Sequence, residues 1–432
     1  MIVIILDFDD RPAEARRTRA QLEASPSFQG CDVHVLKGDV GRSMNDTLRQ
    51  YPCCWIVTLL AGERLTPEFG AHVEALIHRL PDRAAGALPP PRSADSDDQP
   101  PSKLRGPIVW RTSALCGSSF GGFPERRVFP LERYALPLVE AELSAQAWHW
   151  TVWDSSSWSP SPLKTPLWRR SEAADLASEP LIYASLSERE PLQSPPLFTV
   201  VICAYNEANY VEGAIRSVLT QTNAQWELIL VDDGSQDDTA VRLAQYRDHP
   251  RIVYLAHAVN RGKSAALNTG LAAASGQWFV ELDADDWLAP DGLERLAGAI
   301  SREPSHPQVM YSAHYRWQER HNGELVFTGR SRDSRELEPE ELIRSGETVA
   351  LRAYNLATLR ERGGWRVDDP FGGRWFEDIG MLAALTGDNR SVYVEQPLYH
   401  RRIRSGSHSR QGSARYLHWK RWAESELMRG QG

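Results

Sequence analysis

Residues 198 to 300 alternate between short apolar runs and amphipathic segments. The apolar runs predict strands at Phe198–Cys203, Glu227–Val231, Arg251–Leu255 and Trp278–Leu282. The intervening and following segments carry apolar residues at helical spacing and predict helices at Tyr210–Gln221, Asp237–Tyr246, Lys263–Ala274 and Asp291–Ile300. Strands that alternate with helices are typical of an α/β fold, so we expect a mostly parallel sheet flanked by helices.

A weak internal repeat links this region to the first half of the chain, and its matches follow the same order in both copies. The matched pairs are residues 54–67 with 277–290, Gly41-Arg42-Ser43 with Gly262-Lys263-Ser264, and residues 120–123 with 362–365. An ordered repeat of this kind predicts that one fold occurs twice. The alternative is a chance similarity between two α/β segments.

The repeat and the composition together predict three parts of the chain. We expect residues 1–150 to form a degenerate, non-catalytic copy of the α/β fold. Residues 151–196, rich in Trp, Pro and Ser, are expected to connect the copies, and residues 197–432 to form the functional domain.

Composition excludes several classes of protein. The chain has 432 residues and a formal net charge of −8, which suits two globular domains and argues against nucleic acid as a general partner. No apolar run reaches the ~18 residues of a membrane-spanning helix, and the first residues lack the basic segment of a signal peptide. The five Cys have neither metal-binding nor disulfide spacing. We therefore expect a cytoplasmic protein, with peripheral contact at the inner face of a membrane and the oligomeric state left open.

Acidic residues follow several of the predicted strands. The motifs are Ala204-Tyr205-Asn206-Glu207, Val231-Asp232-Asp233-Gly234-Ser235 and Glu281-Leu282-Asp283-Ala284-Asp285-Asp286. Parallel strands bring their carboxyl ends to one edge of a sheet, where open α/β folds bind ligands. Carboxylate oxygens suit Mg²⁺ or Mn²⁺, which can also hold substrate phosphates. One such acidic turn alone would be interpreted as a solvated loop, but the three together favour a site.

These motifs, with Asn260-Arg261-Gly262-Lys263, Asn268 and Gly270, together resemble family 2 glycosyltransferases of the GT-A fold. The resemblance is close over Phe198–Ile300 and continues less closely towards residue 410. It implies a Rossmann-like α/β fold that binds a nucleotide-diphospho-sugar. It also implies Mn²⁺ or Mg²⁺ as the cofactor.

The resemblance implies a role for each donor-side residue. Asp285 would ligate the metal, Asp283 would contact the ribose or the metal, and Asp286 would orient the donor sugar. Either Asp232 or Asp233 would accept a hydrogen bond from the base. The remaining nucleotide contacts are implied for Ala204, Tyr205, Glu207 and Lys263. For Tyr205 packing at a strand end is the alternative, and for Lys263 a solvated helix start.

A second acidic motif, Glu377-Asp378, resembles the acceptor side of the same family. The resemblance implies that Asp378 is the base of an inverting single displacement, with Glu377 as its neighbour or as an acceptor contact. The alternative is an acidic helix N-terminus. Asp368 and Asp369 are nearby substitutes for the base.

A late motif departs from the family pattern at Arg404. The family places a histidine there, so a histidine metal ligand is in doubt, and His400 or His408 could replace it. Arg404 could instead bind the diphosphate as a loop closes, because guanidinium groups bind phosphates in a bidentate manner. A basic surface loop is the alternative.

The sequence thus predicts an inverting, metal-dependent glycosyltransferase that uses a nucleoside-diphosphate sugar, with a UDP-sugar as the favoured donor. The acceptor would be a hydroxyl of a glycan, a lipid-linked glycan, a small molecule or a protein, in bacterial glycan or envelope biosynthesis. A nucleotide- or sugar-binding module without turnover is the main alternative. A sugar nucleotidyltransferase is disfavoured, because Ala204-Tyr205-Asn206-Glu207 stands where that class has a Gly-rich basic loop.

Overall fold

The computed structural model describes residues 1–7, 11–37, 40–51, 53–89, 106–118, 121–124, 135–153, 156–159, 181, 191–192, 194–303, 307–319, 325–331, 337–347, 349–386, 391–404 and 413–426. The chain divides into two compact units, Met1–Ser185 and Leu186–Gly432. No helix among the described residues is both long enough and apolar enough to cross a membrane.

The first unit is an α/β domain. Its strands are β1 (Ile2–Leu6), β2 (Asp32–Leu36), β3 (Trp55–Leu60), β4 (Arg64–Leu65), β5 (Ala84–Leu88), β6 (Ile108–Arg111), β7 (His149–Val152) and β8 (Trp158–Ser159). Its helices are α1 (Pro12–Glu23), α2 (Val40–Gln50), α3 (Phe69–Arg79), α4 (Thr112–Cys116) and α5 (Ala135–Ala145), with a 3-10 turn at Pro26–Phe28.

A mixed sheet forms the centre of the first unit, with the strand order β2-β1-β3-β6-β5-β7. β1 pairs in parallel with β2 and β3, and β6 is antiparallel to β3 and β5. Every residue of β1 is buried, as expected for a strand covered on both faces. The boundary predicted at residue 150 falls within β7, which pairs with β5 in this sheet.

The second unit is also α/β, which confirms the predicted fold class. Its strands are β9 (Phe198–Ala204), β10 (Trp226–Asp232), β11 (Ile252–Ala256), β12 (Trp278–Asp283), β13 (Trp287–Leu288), β14 (Val309–Glu319), β15 (Leu325–Arg330), β16 (Arg352–Asn355) and β17 (Ser391–Ile403). Its helices are α6 (Val211–Leu219), α7 (Thr239–Ala244), α8 (Lys263–Ala273), α9 (Gly292–Arg302), α10 (Pro339–Ser345), α11 (Leu356–Glu361), α12 (Glu377–Leu385) and α13 (Ser413–Glu426).

The sheet of the second unit has a parallel half and a mixed half. Its order is β11-β10-β9-β12-β16-β14-β17-β13, with β15 paired to β14. The strands β11, β10, β9 and β12 are parallel, as predicted, whereas β16 runs antiparallel to β12 and β14. The mixed half goes beyond the mostly parallel sheet of the prediction, because its strands follow residue 300, where no strand was predicted.

The two sheets share one strand order. In the first unit β2-β1-β3-β6-β5-β7 corresponds to β10-β9-β12-β16-β14-β17 in the second, with the same parallel and antiparallel pairing at every step. The predicted repeat of residues 54–67 and 277–290 falls on equivalent strands, since it joins β3 to β12 and β4 to β13. The same architecture is therefore built twice.

A pair of asparagine side chains shows the same equivalence in atomic detail. The Asn45 amide donates to the Phe123 carbonyl at 2.8 Å and accepts from its N–H at 2.9 Å. Asn268 makes the same two bonds to Trp365, at 2.7 and 2.8 Å. The predicted match of the Gly-x-Ser triplets was wrong in register, because it would have aligned Asn45 with Ala266 instead of Asn268.

Candidate functional site

The acidic strand ends of the second unit meet at one edge of its parallel half. In the sheet register, Asp283 at the end of β12 lies beside Cys203 of β9, and Asp232 at the end of β10 lies beside Ala204. The strands are parallel, so the residues that follow them leave the sheet on the same side. The donor-side residues predicted from sequence are thereby gathered at this edge.

Arg404 connects two of these acidic residues. Its Nε lies 2.9 Å from Asp285 Oδ2, and its Nη2 donates to Glu207 Oε1. The guanidinium also lies 4.5 Å from the ring centre of Tyr210. Burial and the nearby Asp285 carboxylate raise the pKa of Glu207 to about 7, although Arg404 opposes the shift. The Arg404 guanidinium therefore lies beside the Asp285 carboxylate, at the position where a cation would bind it.

Asp283 lies between two cationic side chains. Lys263 Nζ donates to its Oδ1 at 2.9 Å, and Arg352 Nη2 to its Oδ2 at 3.4 Å. Burial alone would raise the pKa of Asp283, but Lys263 and Arg352 hold that pKa below its usual value. Asp283 is therefore ionised and fixed in orientation, with Lys263 at the start of α8 beside it.

Asp286 is buried, whereas the side chains of Asp283 and Asp285 are partly exposed, and it anchors the end of β17. Its Oδ1 accepts the Arg402 N–H at 2.6 Å. Burial, with the carboxylates of Asp285 and Asp283, raises the pKa of Asp286 well above its usual value. The geometry therefore gives Asp286 a structural contact, and its predicted contact with a donor sugar stays a prediction.

The two carboxylates after β10 differ in their contacts. Asp233 is buried and accepts from the backbone N–H groups of Arg261 and Gly262, both at 2.8 Å, and contacts His257 Nδ1 at 2.6 Å. Asp232 accepts from the Ser235 N–H at 3.0 Å. Asp233 is thus committed to holding the loop before α8, which favours Asp232 for the predicted contact with a base.

The first strand end exposes an aromatic ring, that of Tyr205. Tyr205 is 41% exposed, whereas Ala204 is buried at the end of β9. Asn206 adopts the left-handed conformation with φ of 56° and turns the chain towards Glu207. The exposed Tyr205 ring is therefore available to a ligand at this edge.

The acceptor-side pair lies at the start of α12. Asp378 Oδ1 accepts the Ile379 N–H at 2.8 Å, and its Oδ2 lies 3.7 Å from Arg352 Nη1. The Asp378 side chain is 19% exposed. Burial and the adjacent Asp378 raise the pKa of Glu377 to about 8, so Glu377 is largely protonated at neutral pH. Asp378 is thus a partly exposed carboxylate at the start of α12, beside the protonated Glu377.

The substitutes for the base have other partners. Asp368 forms a salt bridge with Arg366, and Asp369 accepts from the N–H groups of Phe371 and Gly373. These bonds shape the loop before α12. Of the three predicted candidates for the base, Asp378 therefore stays the favoured one.

The contacts of His400 do not favour it as a metal ligand. His400 Nδ1 accepts from Trp317 Nε1 at 3.1 Å, and the His400 ring stacks on Trp287. Burial lowers the pKa of His400 to about 3. His408 lies outside the described residues. His400 is therefore a neutral core residue that faces aromatic rings.

The donor chemistry at the strand ends fits a hard divalent cation held together with phosphates. Among the residues that the structure describes, no three His, Cys, Asp or Glu side chains form a metal cage. Mg²⁺ usually binds through one or two carboxylates and completes its shell with phosphates and water. Asp283 and Asp285 supply such a pair of carboxylates, and Arg404 would have to leave Asp285 for a cation to bind there.

The sequence analysis missed Arg352 and the role of Glu281. Arg352 stands at the start of β16 and pairs with Glu281 of β12 in the sheet register. The side chains of both are almost completely buried, with 4% and 0% exposed. No local pattern marks Arg352, and the acidic motif does not identify Glu281 as its partner, because the antiparallel pairing of β12 and β16 alone brings them together.

The glycosyl transferase family 2 model matches residues 199–359. The succinoglycan biosynthesis protein ExoO of Rhizobium meliloti is 42% identical over 23% of this chain and 29% of that protein. Glycosyltransferase GlyA of Streptococcus pneumoniae is 30% identical over 51% of this chain and 32% of that protein. This chain thus covers less than half the length of these two relatives.

Solved structures show only a distant likeness. TarS 1-349 of S. aureus with UDP-GlcNAc has a TM-score of 0.40 and 19% sequence identity, over 50% of this chain and 61% of that one. The assignment therefore rests on the family match and on the site. Residues 199–359 of this chain belong to glycosyl transferase family 2.

Proposed function

We propose that this protein is an inverting glycosyltransferase that uses a nucleoside-diphosphate sugar, with a UDP-sugar as the first candidate donor. The observation that carries the proposal is the convergence of the donor-side Asp283 and the base candidate Asp378 on one buried guanidinium, that of Arg352. An inverting transferase needs a site that holds the donor diphosphate and a base for the acceptor. Asp283 belongs to the first and Asp378 is the candidate for the second. The named role of the Rhizobium relative in succinoglycan biosynthesis supports a bacterial polysaccharide as the product.

The donor is held at the ends of the parallel strands. Tyr205 and Asp232 contact the nucleoside, and Lys263 supplies a point charge for the diphosphate. Asp283 and Asp285 would hold Mn²⁺ or Mg²⁺, which would supply positive charge for the departing diphosphate. Arg404 leaves Asp285 when the donor enters and pairs with a phosphate, since a guanidinium has a similar attraction for both oxyanions.

The acceptor reacts from the side of α12. Its hydroxyl donates its proton to the Asp378 carboxylate as its oxygen attacks the anomeric carbon, and the bond to the diphosphate breaks. One displacement on the face opposite the leaving group inverts the anomeric configuration. Glu377, protonated at neutral pH, can donate a hydrogen bond to the acceptor but cannot serve as a base there.

For the first unit we propose a degenerate copy of the same fold without catalytic function. The equivalent strand orders support this proposal. The residues at the end of β3 support it as well. Leu60 and Gly62 stand at the positions of Asp283 and Asp285, so this copy lacks the carboxylates that would hold a cation.

The test is nucleotide binding and donor turnover by the full chain. UDP, GDP, CDP and TDP are titrated with and without Mn²⁺, and sugars of the tightest nucleotide are assayed for release of nucleoside diphosphate. The expected result is Mn²⁺-dependent binding of one nucleotide that Asp285→Ala loses. Asp378→Asn should bind that nucleotide as the wild type does, yet release no product.

A binding module without turnover is the second candidate. The Arg404 bridge to Asp285 and Glu207 favours it, because the guanidinium lies where a cation would bind Asp285. Nucleotide binding with no release of product from any donor, in the presence of glycan acceptors and Mn²⁺, would establish that candidate. Absence of any nucleotide binding would refute both.

A further inference from the structure

We propose that Arg352 is a positioning residue that sets the geometry between the donor-side Asp283 and the base Asp378. The inference rests on the proposed function and adds a residue to it. Arg352 stands on β16, outside every motif that identified the site. Its side chain is 4% exposed, so a ligand at the sheet edge meets Asp283 and Asp378 before it meets Arg352.

The guanidinium of Arg352 uses each of its nitrogens. Nε donates to Glu281 Oε2 at 3.1 Å, and Nη2 lies 3.0 Å from Glu281 Oε1. Nη2 also reaches Asp283 Oδ2 at 3.4 Å. Nη1 donates to the Val349 carbonyl at 2.8 Å and lies 3.7 Å from Asp378 Oδ2.

These contacts link the two halves of the reaction through one rigid group. Glu281 and the Val349 carbonyl fix the plane of the guanidinium, because a planar fork bound on two sides cannot rotate. Asp283 and Asp378 then face different nitrogens of the same plane. The separation between the donor carboxylate and the base is thereby set by the dimensions of one side chain.

The first unit shows that the fold itself does not require this charge cluster. Thr58 of β3 pairs with Ile108 of β6 in the sheet register, just as Glu281 of β12 pairs with Arg352 of β16. Leu60 stands where the second unit has Asp283. Thr58, Ile108 and Leu60 are neutral, yet their sheet has the same strand order as the sheet of the second unit.

The neighbouring aromatic pair is similar in both units, which strengthens the comparison. Trp110 meets Phe123 edge-on with ring centres 5.4 Å apart, and Tyr354 meets Trp365 edge-on at 5.8 Å. The packing beside the strand pair is thus kept while the charges differ. A buried ion pair is weak evidence for stability, so the charges in the second unit point to the site.

The test uses the full chain and a variant that copies the first unit, Glu281→Thr with Arg352→Ile. This double variant removes both buried charges together and so avoids an unpaired Glu281. Arg352→Lys is the second variant, because it keeps the charge but loses the planar fork. Arg360→Gln is the control, since Arg360 donates to the backbone carbonyls of Leu271 and Ala274.

The measurements are UDP affinity, thermal unfolding, and UDP release from UDP-glucose, UDP-galactose and UDP-N-acetylglucosamine. We expect the double variant to lose on the order of 100-fold in kcat, the usual consequence of misplacing a catalytic group by about 1 Å. The donor KM should change by no more than about threefold, because the nucleoside contacts remain. Arg352→Lys should recover part of kcat, and Arg360→Gln should match the wild type.

Three results would overturn the inference. The first is a folded double variant, or a folded Arg352→Lys, with the kcat of the wild type. The second is a loss that lies entirely in donor KM and UDP affinity, which would make Arg352 a binding residue. The third is a wild type that binds none of UDP, GDP, CDP and TDP and releases none of them from a donor sugar, which refutes the proposed function and this inference with it. In the first two cases the proposed function survives.

Discussion

The bonds from Asn268 to Trp365 offer a sharp test of how the acceptor-side loop is held. Asn268→Ala removes a donor to the Trp365 carbonyl and an acceptor for its N–H. Trp365 is buried against Phe279 and Tyr354, so its backbone groups have little access to water. The loop after Trp365 leads to α12 and Asp378.

The magnitude follows from the two lost bonds. Each contributes about 1 kcal/mol net, and a buried group left without a partner costs about 1–3 kcal/mol. We therefore expect Asn268→Ala to lower the free energy of unfolding of the second unit by about 2–4 kcal/mol. Asn45→Ala is the matched control, because Asn45 makes the same two bonds to Phe123 in the first unit.

The assay is urea unfolding combined with hydrogen exchange of peptides that contain Phe123 or Trp365. Asn268→Ala should speed exchange at Trp365 and lower the rate of UDP release from donor, while Asn45→Ala should speed exchange at Phe123 only. The reasoning would be refuted by a cost below about 0.5 kcal/mol, the usual range for a surface substitution. Equal activity losses in the two variants would refute the separate roles of the loops.

Three further predictions concern single side chains of the second unit. Arg404→Gln should weaken UDP binding about tenfold, in proportion to one lost charge-assisted bond, and calorimetry showing unchanged affinity would contradict a diphosphate contact. Glu377 has a raised pKa of about 8, against an ordinary 4.5. Between these two pH values the folded chain holds a proton that the unfolded chain releases, so the free energy of unfolding falls as pH rises from 4.5 through 8. Glu377→Gln should remove that decline in urea midpoints, and an unchanged pH profile would show that Glu377 does not cause it. Gly364→Ala should destabilise the chain by about 2–4 kcal/mol, since the added Cβ would lie 2.3 Å from Asn268 Oδ1 at a φ of +78°. Gly363→Ala is the control, because its added Cβ meets no atom within 4 Å and should cost only the backbone strain of about 1–2 kcal/mol. Equal melting temperatures for the two variants would exclude a steric clash at Gly364.

The sequence alone determined the parallel half of the second unit and the chemistry at its edge. The strands β9 and β12 were predicted to within one residue of their observed ends. Local signals suffice here, because buried parallel strands are continuous apolar runs and the carboxylates follow them directly. The repeat of β3 and β12 was also visible, since the matched residues lie in one unbroken segment.

Tertiary structure decided which of these residues meet. The long-range pairing of β12 with β16 puts Arg352 beside Asp283 and near Asp378, although the chain separates them widely. The end of β17 likewise brings Arg404 to Asp285. An antiparallel partner is specified by packing over the whole sheet and leaves no mark on neighbouring residues. The sequence therefore supplied the reactive groups, and the sheet register supplied their geometry.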